Sequence, residues 1–165
     1  MNSFQNFRAK MVKKIVSLDV GIKYVGVAST DPLWNFPVIL GTLQRKQSIA
    51  DDLARLSVML KDIDVCGVVI GFPLTMEGHE GSFAPVVKGF ERRLKELFPG
   101  IPFFRIDESL SSKEAVEIKQ IKPGNYRKNK KQGKIDSTAA AIILERFMGT
   151  HEFENLKFSV LRTGE

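Results

Sequence analysis

Apolar positions along this chain follow two periods. Residues 14–20 and 24–29 are short β-rich runs joined by Gly21-Ile22-Lys23, the pattern of a hairpin. Asp31-Pro32 breaks the chain, and residues 38–43 predict a third strand. From Ser48 the period lengthens: Ile49, Leu53, Leu56 and Leu60 recur at spacings of three and four, one apolar face of a helix. Ser48 sits at the N-cap position, with Asp51 and Asp52 in the first turn. Residues 65–70 are continuously apolar, as in a strand covered on both faces, and a loop follows over 71–78. Val87, Phe90, Leu94 and Leu97 set a second helix over 83–98, stopped by Pro99-Gly100. Residues 101–106 form the fifth strand, and 112–119 read as helical. Residues 119–134 read as a basic loop, and 135–148 as a helix with Ala139, Ala140, Ile143, Leu144 and Phe147 as its stripe. From Gly149 onward the sequence reads as a weak tail.

Three strands, then alternating helices and strands, give an α/β fold: a mixed five-stranded sheet with helices on both faces. That is the ribonuclease H-like arrangement, although the same string fits other α/β sandwiches. One domain is expected over 11–148, with 1–10 and 149–165 as terminal extensions. Met11 fits a start as well as Met1 does.

Composition adds a direction to this picture. A net charge of +6 favours a polyanionic partner. The charge concentrates in the acid-free loop carrying Lys122, Arg127, Lys128, Lys130, Lys131 and Lys134. These residues, with Lys23 in the hairpin turn, are the expected nucleic-acid contacts; a solvated surface loop is the alternative. If about five of them met a single strand, the salt slope of binding would be roughly −3.5. The single cysteine, Cys66, cannot form an internal disulfide and reads as a small buried hydrophobe, suiting a reducing compartment. No apolar stretch approaches the ~18 residues of a membrane span, so no membrane partner is expected. The polar start lacks the apolar core of a signal peptide, and a cytoplasmic location is expected.

Three places hold carboxylates where chemistry would need them. Asp19 ends a run that otherwise wants to be a buried strand, and burying an ionised carboxylate costs several kcal/mol unless it is paired or metal-bound. A turn-forming Asp is the plain alternative. Asp107-Glu108 follows the fifth strand at its carboxyl end, where ligands of open α/β sheets gather. Neighbouring residues point to opposite faces, so only one of the two faces the site, and spacing does not say which. Asp136 lies on the stripe of the 135–148 helix, so it either faces the sheet or caps the helix. Three such carboxylates would repel one another without a cation. Oxygen ligands favour Mg²⁺ or Mn²⁺, and two such ions ~4 Å apart would suit phosphodiester hydrolysis. His79 and His151 stand isolated. Trp34 and Phe36 flank a turn, where they either anchor the loop or stack a base.

In order, these segments resemble the YqgF/RuvX family of Holliday junction resolvases or pre-ribosomal-RNA nucleases. The matching stretches are Leu18-Asp-Val-Gly-Ile-Lys-Tyr-Val-Gly-Val-Ala-Ser-Thr-Asp31 and Val69-Ile-Gly-Phe-Pro-Leu-Thr-Met-Glu-Gly78. They continue with Asp107-Glu-Ser-Leu-Ser-Ser-Lys-Glu-Ala115 and Lys134-Ile-Asp-Ser-Thr-Ala-Ala-Ala-Ile-Ile-Leu-Glu-Arg-Phe147. The resemblance implies a ribonuclease H-like fold and a catalytic, metal-holding triad of Asp19, Glu108 and Asp136. It also implies a bacterial cytoplasmic protein acting on ribosomal RNA precursors or branched DNA. Where the family usually reads Asp-Glu-Arg, this chain has Asp107-Glu108-Ser109, which removes a guanidinium that Lys113 would have to replace.

The leading expectation is therefore a two-ion nuclease, with Asp19 bridging the metals and Glu108 and Asp136 completing their shells. A second is a catalytically weak RNA-binding protein of ribosome assembly, which Ser109 keeps open. A third takes Leu18-Asp-Val-Gly as the phosphate loop of an actin-like ATPase, although this chain has room for one such domain where those proteins pair two. A monomer or weak homodimer is expected, since two-fold junctions favour a dimer but no interface stripe stands out.

Overall fold

The computed structural model describes residues 12–108 and 134–162. A five-stranded sheet runs in the order β3-β2-β1-β4-β5, with β1 (Lys13–Val20) at its centre. β2 (Tyr24–Thr30) pairs antiparallel with β1, and β3 (Pro37–Gln44) antiparallel with β2. β4 (Asp64–Phe72) and β5 (Phe103–Asp107) extend the other side in parallel. The carboxyl ends of β1, β4 and β5 therefore share one edge of the sheet.

Strand alternation divides β1 between two cores. Val16, Leu18 and Val20 face α1 (Ile49–Met59) and α2 (Ala84–Leu97), packing with Leu53, Leu56, Val87, Phe90 and Leu94. Ile15 faces the opposite layer, where α3 (Lys134–Met148) and α4 (His151–Arg162) contribute Ile143, Leu144, Phe147 and Phe153. The Ser17 hydroxyl donates to the Ala140 carbonyl of α3 at 2.7 Å. Odd-numbered β1 residues thus lie under α3. Helices cover both faces, as the polarity pattern requires.

Local signals hold where they were legible. The Ser48 hydroxyl accepts the Asp51 amide at 3.1 Å and caps α1. Proline stands in the first turn of α2, where its missing N–H costs nothing. The chain after Gly149, read as a weak tail, instead folds as α4. Phe153, Leu156 and Val160 recur at spacings of three and four and dock on the second core. Trp34 anchors its loop: it is buried, its indole N–H donates to the Lys13 carbonyl at 2.9 Å, and its ring meets Phe153. Phe36 is exposed. Cys66 is half-buried rather than fully buried, and burial, aided by the charge of Asp64, pushes its thiol up to about 11. No helix among the described residues is long and apolar enough to cross a membrane. The expected helix over 112–119 and the basic loop lie outside the described residues.

Candidate active site

Asp19, the penultimate residue of β1, is buried to 7% exposure and shares the face of Ser17, under α3. Its lateral neighbours lack side chains. Gly26 of β2 is its direct register partner, and Gly71 of β4 follows the last registered pair, Leu18 with Ile70. Two glycines beside one buried carboxylate leave a cradle at the carboxyl edge of the sheet.

Glu108 fills part of that cradle. Asp107 pairs with Phe72 and so faces the α1–α2 core side, where it is exposed. The next residue turns to the other face, and its amide donates to the Phe72 carbonyl at 3.2 Å. A Cβ placed on Gly71 would stand 2.6 Å from the Glu108 Oε2 and 2.5 Å from the Cδ1 of Ile143. The Glu108 carboxylate therefore lies over Gly71, on the face and edge that hold Asp19. Spacing could not choose between Asp107 and Glu108; β5 register does.

Asp136 lies in the first turn of α3, the helix that covers this face, and its side chain is outside the description. Lys134 is the first residue of α3. Lys23 is exposed in the β1–β2 turn, at the carboxyl edge two residues beyond Val20's neighbour Gly21. Lys122, Arg127, Lys128, Lys130 and Lys131 lie outside the described residues, as do Ser109 and Lys113. Among the described residues no group of three His, Cys, Asp or Glu side chains is gathered. Two of the three expected carboxylates share the cradle, and the third is placed by backbone alone.

A further buried acid, Asp31, serves the loop. It accepts the amides of Leu33, Asn35 and Phe36 at 3.1, 2.5 and 2.9 Å. Burial pushes its carboxyl up, but those amides outweigh it and hold it below the usual range. The sequence reading passed over Gly71 and Arg45. Gly71 had a signal, a glycine interrupting an apolar run, which marks a close approach. Arg45 had none, because its partners come from three segments.

An antiparallel three-strand start, two parallel strands and a carboxylate cradle at their common edge define a ribonuclease H-like α/β protein. A family model described as RuvX, Holliday junction resolvase, matches residues 13–150, and the chain belongs to that family, a family of nucleases that cut phosphodiester bonds. Over 140 residues it is 34% identical to a Chlorobaculum tepidum protein named "Putative pre-16S rRNA nuclease", spanning 84% of this chain and 95% of the relative. A Syntrophus aciditrophicus protein of the same name is 37% identical over 135 residues, spanning 82% and 87%. Among solved structures, Thermus thermophilus RuvC in complex with a Holliday junction substrate aligns at a TM-score of 0.46 and 14% identity, over 84% of this chain and 97% of that one.

Proposed function

We propose that this chain hydrolyses phosphodiester bonds in the precursor of 16S ribosomal RNA, using Asp19, Glu108 and Asp136. One observation carries the reading: the Glu108 carboxylate lies over Gly71, on the face where Asp19 is buried. Two carboxylates on one face and at one edge of the sheet, beside Gly26 and Gly71, fit a hard cation with oxygen ligands, Mg²⁺ or Mn²⁺. Asp19 and Glu108 would hold it, with Asp136 closing the set from α3, and two such ions are proposed. Bound there, divalent ions supply an activated water and stabilise the leaving oxygen.

The remaining work falls to the chain itself. Burial under α3 limits water around Asp19 and strengthens electrostatics at the cradle. Arg146 fixes the β5 end by donating to the Asp107 carbonyl at 2.8 Å, which sets where Glu108 departs from the sheet. Lys23, and Lys122, Arg127, Lys128, Lys130, Lys131 and Lys134, would hold the phosphate chain by charge.

The substrate choice rests on the relatives' shared name, and the family description favours branched DNA as the second reading. Labelled precursor RNA and a four-way DNA junction, each with Mn²⁺, Mg²⁺ or EDTA, decide between them. Metal-dependent cutting of the RNA that Asp19→Asn abolishes is the expected result. Cutting of the junction alone assigns the chain to DNA, and binding of both without cutting under any metal overturns the enzyme reading.

A further inference from the structure

A buried ion pair sits directly behind the turn that follows Asp19. Asp52, in the first turn of α1, has no solvent exposure, and its Oδ2 accepts from the Arg45 Nε at 3.1 Å. Arg45 lies in the connection between β3 and α1, with its guanidinium over the Phe90 ring at 5.7 Å. Burying such a pair costs desolvation, which only good geometry with every acceptor used repays. Here each remaining bond goes to the backbone of one of two turns. The Arg45 Nη1 donates to the Gly21 carbonyl at 3.0 Å, and the Arg45 amide donates to the Lys23 carbonyl at 2.8 Å. The second Asp52 oxygen accepts the Lys46 amide at 2.8 Å.

The side chains of the pair therefore hold the Gly21 carbonyl and the Lys46 amide, while the Arg45 main chain holds Lys23, and both lysines are exposed. They lie on neighbouring strands' ends, since Tyr24 and Gln44 are register partners. Because β3 runs parallel to β1, both stand at the carboxyl edge that holds Asp19. Two cations carried on held backbone at the rim of a carboxylate site are complementary to consecutive phosphates of a strand entering it.

Resting on the nuclease reading above, we infer that Lys23 and Lys46 form a phosphate clamp for the substrate strand, with Arg45 and Asp52 as its positioning residues. The arrangement needs arginine at 45, because a lysine cannot reach a carboxylate and a carbonyl through one planar fork.

The test measures binding of a single-stranded RNA from the 16S precursor at several salt concentrations. All variants are made in the full chain carrying Asp19→Asn, with EDTA present, so that cleavage does not interfere. Lys23→Ala and Lys46→Ala, both surface changes, should each weaken binding about fivefold and flatten the salt slope by about 0.7. Arg45→Lys keeps the charge and should weaken binding severalfold, with Lys46→Ala then adding little. Unchanged affinity and slope in both alanine variants overturn the clamp while leaving the nuclease reading intact, provided the parent binds and the wild type cuts. A change in melting temperature for Arg45→Lys without a change in binding reduces Arg45 to a fold element and overturns its positioning role. Failure of the parent to bind any RNA at low salt overturns both.

Discussion

The Glu108 carboxylate occupies the space a side chain at Gly71 would need, its Oε2 lying 2.6 Å from where that Cβ would stand. The β4 backbone and the β5 terminus are fixed by their register, so the glutamate has to move if residue 71 gains a methyl group. Ile143, at 2.5 Å, has to move as well. Gly71→Ala should therefore destabilise the fold by about 1–3 kcal/mol through overpacking. It should also lower cleavage by roughly tenfold or more, through misplacement of one carboxylate. Denaturant unfolding and cleavage of precursor RNA read the two effects separately. A variant that is destabilised yet cuts at the wild-type rate would remove Glu108 from the site.

Asp19 is tested through its charge rather than its volume. Asp19→Asn keeps the shape and deletes a nearly buried charge. Cleavage should fall on the order of 10²-fold or more, the scale set by losing one preorganised charge. A cation that binds only the folded wild type adds about 2.7 kcal/mol at a hundred times its dissociation constant. Melting with and without Mn²⁺ should raise the wild-type transition and leave the variant's where it was. Equal shifts for both proteins would place the cation elsewhere.

The five strands and the helices over 49–59, 84–97 and 134–148 were legible because burial on two sides and helical periodicity leave different marks. The face of Asp19 came from the structure, where Ser17 bonds α3 and Ile15 packs in the same layer. What spacing left open was decided by pairing: only the register of Asp107 with Phe72 shows that Glu108 is the member aimed at the cradle. The helix at 151–162 had its signal in Phe153, Leu156 and Val160, but acids and lysines between them thinned the stripe. Arg45 lay beyond reach altogether. An arginine in a connection looks solvated until the fold brings Gly21, Lys23 and Asp52 around it.

Trp34 joins two parts of the second core that are distant in sequence. It combines a buried ring against Phe153, an indole hydrogen bond to Lys13 and a left-handed backbone at φ 59°. Trp34→Ala should cost about 3–5 kcal/mol, as for other buried aromatics. Trp34→Phe keeps most of the packing and loses the hydrogen bond, for about 1 kcal/mol. Equilibrium unfolding checks both. If Trp34→Ala instead leaves stability unchanged and weakens RNA binding, the base-stacking role applies.

Glu91 gives the acid limb of stability. It is almost fully buried in α2, accepts the Arg105 Nε and Nη2 at 2.9 and 2.7 Å, and pairs with Lys95 at 2.9 Å. Burial pushes its carboxyl up, but the lysine and arginine outweigh it and hold it below its ordinary 4.5. A carboxyl whose folded value is depressed contributes its full stability above the unfolded value and loses it as pH falls through the folded one. Stability should therefore be level above pH 4.5 as far as this group is concerned, and fall below it. Glu91→Gln should cost about 1–2 kcal/mol near neutrality, since Arg105 is 44% exposed and water screens the pair. Asp31 has the same sign and persists in that variant, so the informative quantity is the difference between the two proteins. Melting at a series of pH values should show that difference shrink as the solution is acidified through and below the ordinary glutamate range. A difference that stays constant would mean that Glu91 stabilises α2 by packing alone.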